Sequence, residues 1–176
     1  MTKFEPGALP TDTTLIKSYE YAVDVLMTGG EAPDYKAGTW KRIRFSSAID
    51  PEVSNVETDG ATYEDMGSPH PIVTGENWTL GMYIQAHRKS DGHFLEEVEE
   101  ILKRVRPGGD NTIVIRWYDN PAGSTAKPNP DEAYLGHATV AVKRAQTGNA
   151  EIAGFNVTFT GQGPRVKITN PITEEA

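Results

Sequence analysis

Four histidines, 25 carboxylates and no cysteine are the raw material for chemistry in this chain of 176 residues. His70, His87, His93 and His137 fall in no HxxxH or HExxH spacing, which a helical metal site needs to bring two imidazoles onto one face. One helical turn brings His93 near Glu96 or Glu97. A solvated histidine at a helix start explains that spacing as well as a ligand pair does. Without cysteine there is no thiol nucleophile, thiolate zinc site or disulfide. The glycine runs RPGGDN and TGQGPRV lack the Lys-Ser/Thr ending that lets a loop cradle phosphate, and no GxSxG elbow occurs. Carboxylates are numerous enough for a glycosidase pair. They gather, however, in one segment and on one helix, where acids are ordinarily solvated. The sequence therefore predicts neither an enzyme nor a cofactor or metal.

The acidic segment is residues 47–76. It holds Asp50, Glu52, Glu57, Asp59, Glu64, Asp65 and Glu76, has no Lys or Arg, and is broken by Pro51, Gly60, Gly67, Pro69 and Pro71. It reads as a long acidic loop, and loops of this length in a compact domain are usually functional or ordered by a partner. The formal net charge of −8 argues against general binding to phosphate backbones. Trp40, Arg42, Arg44 and Phe45 have the aromatic–basic composition of a nucleic-acid face. The negative balance of the chain favours an ordinary exposed strand face instead. No apolar run is long enough to span a membrane, and the opening MTKFEPGALPTDTT carries no apolar stretch like that of a secretory leader. The sequons at Asn77 and Asn156 fall inside expected strands and read as chance.

Most of the chain alternates with period two. Strands are expected over 20–27, 39–46, 77–87, 111–119, 133–145 and 150–161, the last two paired as a hairpin across QTGN. Trp78, Leu80, Met82, Ile84 and Ala86 share one face of the third, and Trp78 and Trp117 read as core. One helix is expected over 91–106. Phe94, Leu95, Val98, Ile101, Leu102 and Val105 make its apolar stripe, with Ser90 or Asp91 as the cap and Glu-to-basic polarity along the axis. Residues 1–18, with two prolines, Gly7 and four threonines, and residues 164–176, with two prolines and following Gly161 and Gly163, read as extended N- and C-terminal arms flanking a β-domain over 19–163. The fold class is mainly β, a sandwich or barrel of two sheets flanked by one α-helix.

The order of these segments resembles the major tail (tail tube) proteins of siphophages, those of actinobacteriophages above all. The resemblance runs from about Tyr19 to Pro171. It rests on YAVDVLM followed by TWKRIRFSSAIDPEVS, on YEDMGSPHPIVTGENWTLGMYIQAHR, on FLEEVEEILKRVRPGGDNTIVIRWYD, and on AEIAGFNVTFTGQGPRVKITNP. It implies a tail-tube fold, similar to that of type VI secretion tube proteins. Six copies would form a ring, and rings would stack into a hollow virion tube, assembled in the bacterial cytoplasm. Its partners would be further copies of the chain, the tape measure protein, a tail tip or initiator complex and a terminator, with DNA passing through the lumen unbound. Asp50, Glu52, Glu57, Asp59, Glu64 and Asp65 of the acidic segment, with Arg165 and Lys167 of the C-terminal arm, are the candidate assembly residues. The competing reading is a monomeric β-sandwich that binds carbohydrate or a partner through an exposed Trp40, Trp78 or Trp117.

Overall fold

A computed structural model describes residues 15–29, 35–122 and 126–174. The expected arm over 1–18 therefore lies almost wholly outside the described residues. Eight strands, β1 (Tyr21–Thr28), β2 (Thr39–Arg42), β3 (Ser46–Asp59), β4 (Pro71–Gln85), β5 (Thr112–Asp119), β6 (Ala133–Ala145), β7 (Gly154–Gly161) and β8 (Val166–Lys167), are joined by helices α1 (Glu96–Val105) and α2 (Pro171–Glu174). The mainly-β expectation holds, with one antiparallel sheet in the order β2-β1-β5-β6-β7-β4-β3 and β8 added beside β6.

That sheet is rolled. β2 and β3 stand at opposite ends of the strand order, which in a flat sheet would separate them by about 29 Å. Only residues 43–45 connect them, and so short a segment reaches about 14 Å at most. The linker also hydrogen-bonds to both margins: the Ile43 amide donates to the Val23 carbonyl of β1 (2.9 Å), and the Gln85 amide of β4 donates to the Phe45 carbonyl (3.0 Å). The two layers of the expected sandwich or barrel are thus two halves of one sheet closed along this seam. Ile43 is buried in the seam. Phe45 (φ 55°) and Ala48 (φ 51°) take the left-handed conformation there, which turns the chain from one margin to the other.

One core fills the roll. It joins Val23 and Val25 of β1, Leu80, Met82 and Ile84 of β4, Ile113, Ile115 and Trp117 of β5, Val140 of β6, and Phe155, Val157 and Phe159 of β7. The Trp78 indole lies across β7 and β6. It meets Trp117 with ring centroids 4.9 Å apart, and its Nε1 donates to the Gly163 carbonyl at 3.0 Å. A Cβ on Gly161 or Gly136 would come within 2.3 Å of that indole, so both positions require glycine.

Helix α1 closes one side of this core with Val98 and Ile101 fully buried and Phe94, Leu95, Leu102 and Val105 partly so, as the stripe requires. It is shorter than expected. Residues 91–95 make a turn and an antiparallel bridge between Phe94 and Arg88, and Leu95, not Ser90 or Asp91, stands at the cap. Asp91 instead accepts from the His93 amide, and Glu99 from the Phe94 amide. Glu97 is fully buried, and the Nε of Arg44 donates to it at 2.9 Å, pinning the closing linker to the helix.

Two other expectations are corrected. The stretch 47–76 is not a loop: most of it is strand, β3 and β4 pairing from Ser46↔Ile84 out to Asp59↔Pro71. Residues 164–176 are not a free arm where described. β8 adds to β6, and Ile168 and Ile172 pack on Ala22, Tyr118 and Ala133. Asn170 is buried there, its side-chain amide donating to the Asp119 and Asn129 carbonyls.

Candidate assembly surface

The β3–β4 hairpin leaves the body. From Thr79 to Ile84, β4 lies between β3 and β7 and pairs with both. Beyond Trp78 only β3 accompanies it, so residues 54–59 and 71–77 form a two-stranded ribbon ending in the turn 60–70. Seven residues of strand extend about 23 Å. A two-stranded ribbon alone in water is marginally stable, so its own bonds matter. At the root, Arg165 pairs with Glu76 (3.3 Å) and lies over the Tyr134 ring. At the tip, Asp59 accepts from the amides of Ala61 (2.9 Å) and His70 (3.1 Å). Asp65 accepts from the Thr62 amide (2.7 Å), the Thr62 hydroxyl (3.0 Å) and the His70 ring (3.2 Å). The His70 amide, then that of Ala61, holds the Asp59 carboxyl below its ordinary range. The Thr62 amide, then the His70 ring, does the same for Asp65.

Of the predicted assembly residues, Asp50, Glu52, Glu57 and Glu64 are exposed on this hairpin, while Asp59 and Asp65 build its tip. Arg165 and Lys167 lie on the docked C-terminal segment with their charges matched within the chain, Arg165 by Glu76 at the hairpin root and Lys167 by Asp131 at 2.7 Å. The hairpin also carries apolar side chains that the sequence reading passed over. Val53, Val56, Ile72 and Val73 are exposed along the ribbon, and Tyr63 and Met66 are more than nine-tenths exposed at the tip. Successive strand residues face opposite ways. Val53 and Val56 therefore lie on opposite faces, as do Ile72 and Val73, so neither face is a plain solvent face. Among the described residues, no strand pairs with the outer edge of β3, which is 14 residues long. A long edge with apolar flanks is a template for joining another chain.

The basic residues near position 42 are matched by acids of the chain itself. Lys41 pairs with Glu96, Arg44 with Glu97, and Arg42 reaches Asp24 (3.7 Å) and Tyr118 (2.7 Å). Asp24 is itself buried and held by Arg116 at 2.8 Å, and Arg116 lies over Trp40. Trp78 and Trp117 are in the core. Among the described residues no group of three or more acids and histidines is placed to hold a metal, and no described helix is long and apolar enough to cross a membrane.

No family model matches the chain, and no curated protein matches it in sequence.

Proposed function

We propose that this chain is a structural subunit of a long-tailed bacterial virus, assembling as stacked six-membered rings into the hollow tube of the tail. The observation that carries the reading is the projecting β3–β4 ribbon, with two edges that no described strand pairs and apolar residues on both faces. Such a ribbon gains most by lying against another molecule, and a second copy of the chain is the partner at highest local concentration in a homopolymer. The rolled sheet with a single flanking helix suits a ring wall. The cation-free acidic segment suits a surface past which a polyanion must slide. In this reading the tape measure protein occupies the lumen before DNA does, and initiator and terminator complexes close the ends.

Replacing residues 55–76 by an Asn-Gly turn joins Ser54 to Asn77, which are paired partners, and leaves the core intact. The shortened chain should remain folded and monomeric under conditions where the full chain sediments as large assemblies. Assemblies of normal size from the shortened chain would refute the role given to the ribbon.

A further inference from the structure

Among the described residues, the unmatched charges include a group of cations at one end of the sheet and acids at the other. Among the described residues, Lys17, Arg88, Lys127, Lys143 and Arg144 make no ion pair with a carboxylate. Three of these five gather where β4 and β6 finish and β7 begins. Gln85 of β4 pairs with Gly154, Gly154 with Ala145, and Arg144 with Phe155. Arg88 and Arg144 lie over the two rings of one edge-to-face pair, Phe94 and Phe155, instead of over carboxylates. Phe45, stacked on His87 at 3.9 Å, and Ile152 expose apolar surface at the same end. The acids nearest this end, Asp91, Glu99 and Glu151, are already engaged with Lys89, with Arg106, and with the Gly148 amide. The other end of β4 is the hairpin, about 45 Å away along the strand. There Glu57 and Glu64 pair with no cation among the described residues, and Tyr63 and Met66 are exposed.

We infer that the hairpin tip of one copy docks on the Arg88–Lys143–Arg144 end of the next, carboxylates on guanidinium and ammonium groups, and Tyr63 and Met66 against Phe45 and Ile152. The contact uses different surfaces on its two sides, so every copy can be donor to one neighbour and acceptor to another, and between stacked rings it builds along the tube axis. The two guanidiniums lie near aromatic rings and both residues are exposed, which suits planar recognition of a carboxylate. The assignment rests on the self-assembly proposed above and names its donor and acceptor.

Charge exchange tests it. Arg88→Glu with Arg144→Glu, or Glu57→Lys with Glu64→Lys, should each weaken self-association at least about tenfold by setting like charges together. The chain carrying all four changes should recover it. Because the chain has no cysteine, the Glu64→Cys/Lys143→Cys variant should oxidise to a ladder of covalent oligomers, whereas either single change yields dimers at most. Native-size assemblies from the Arg88→Glu/Arg144→Glu chain would overturn the acceptor assignment and leave the tube reading standing. An unmodified chain that neither assembles nor, as the cysteine pair, forms the ladder would overturn both.

Discussion

The Trp78 indole gives the sharpest test of how the roll is filled. It is buried, it lies over Gly161 and Gly136, and a Cβ added at Gly161 would sit 2.3 Å from Cε2 and Nε1 of the ring. Gly161→Ala must therefore displace a packed ring, which costs about 1–3 kcal/mol as core overpacking does. Trp78→Phe removes half the bicycle and the donor to the Gly163 carbonyl. The lost hydrogen bond leaves an acceptor short by about 1 kcal/mol or more, beyond the lost packing. The two changes should not add. With the smaller ring in place, the alanine methyl occupies the vacated volume, so the double variant should be more stable than the sum by about 1 kcal/mol or more. Equilibrium denaturation of the four proteins, with m held constant, measures that coupling. A coupling below about 0.3 kcal/mol, the scatter of independent sites, would show that the indole does not lie over Gly161.

Further perturbations address the helix, the tip and the C-terminal segment. Ile101→Ala, at a fully buried helix position, should cost about 2–5 kcal/mol; a shift in Tm of under about 2 °C would mean that α1 does not close the core. Asp59 and Asp65 have folded pKa values below the reference of 3.8. Their contribution is complete above that reference and is lost as pH falls through the lower folded values. Amide protection at Thr62 and His70, relative to the intrinsic exchange rate at each pH, should therefore fall below about pH 3.8 while core amides stay protected, and equal protection at pH 2 and pH 6 would contradict the tip structure. Removing residues 165–176 takes Ile168, Asn170 and Ile172 from their packing and should lower the Tm of the monomer; an unchanged Tm would restore the free-arm reading.

How legible the fold was depended on how many sides of an element meet water. The α1 stripe was readable because only one face is buried, so Val98, Ile101, Leu102 and Val105 stand out from the glutamates around them. β4 was readable from Trp78 onward for the same reason. Its outer half was not, and neither was β3. Both faces of the ribbon are exposed, acids and valines share each face, and the period-two signal that marks a half-buried strand has no cause there. Prolines 51 and 71 strengthened the loop reading, although Pro51 lies on an edge strand and Pro71 at a strand start, both places that tolerate proline. Ile168 and Ile172 are too few to signal a packed segment, and the anchor, Asn170, works by donating to carbonyls of distant residues. The acids of the hairpin stand out by composition. The apolar Tyr63 and Met66 beside them, and the Arg88–Arg144 pair over Phe94 and Phe155, became visible only when the register placed each at its end of the molecule.

Negative-stain electron microscopy of the concentrated protein, alone and seeded with tail-tip complexes, tests the central proposal most directly. Hollow tubes or six-fold rings are the expected images. Particles that stay monomeric under both conditions would contradict the tube reading and favour a β-domain that acts as a single copy.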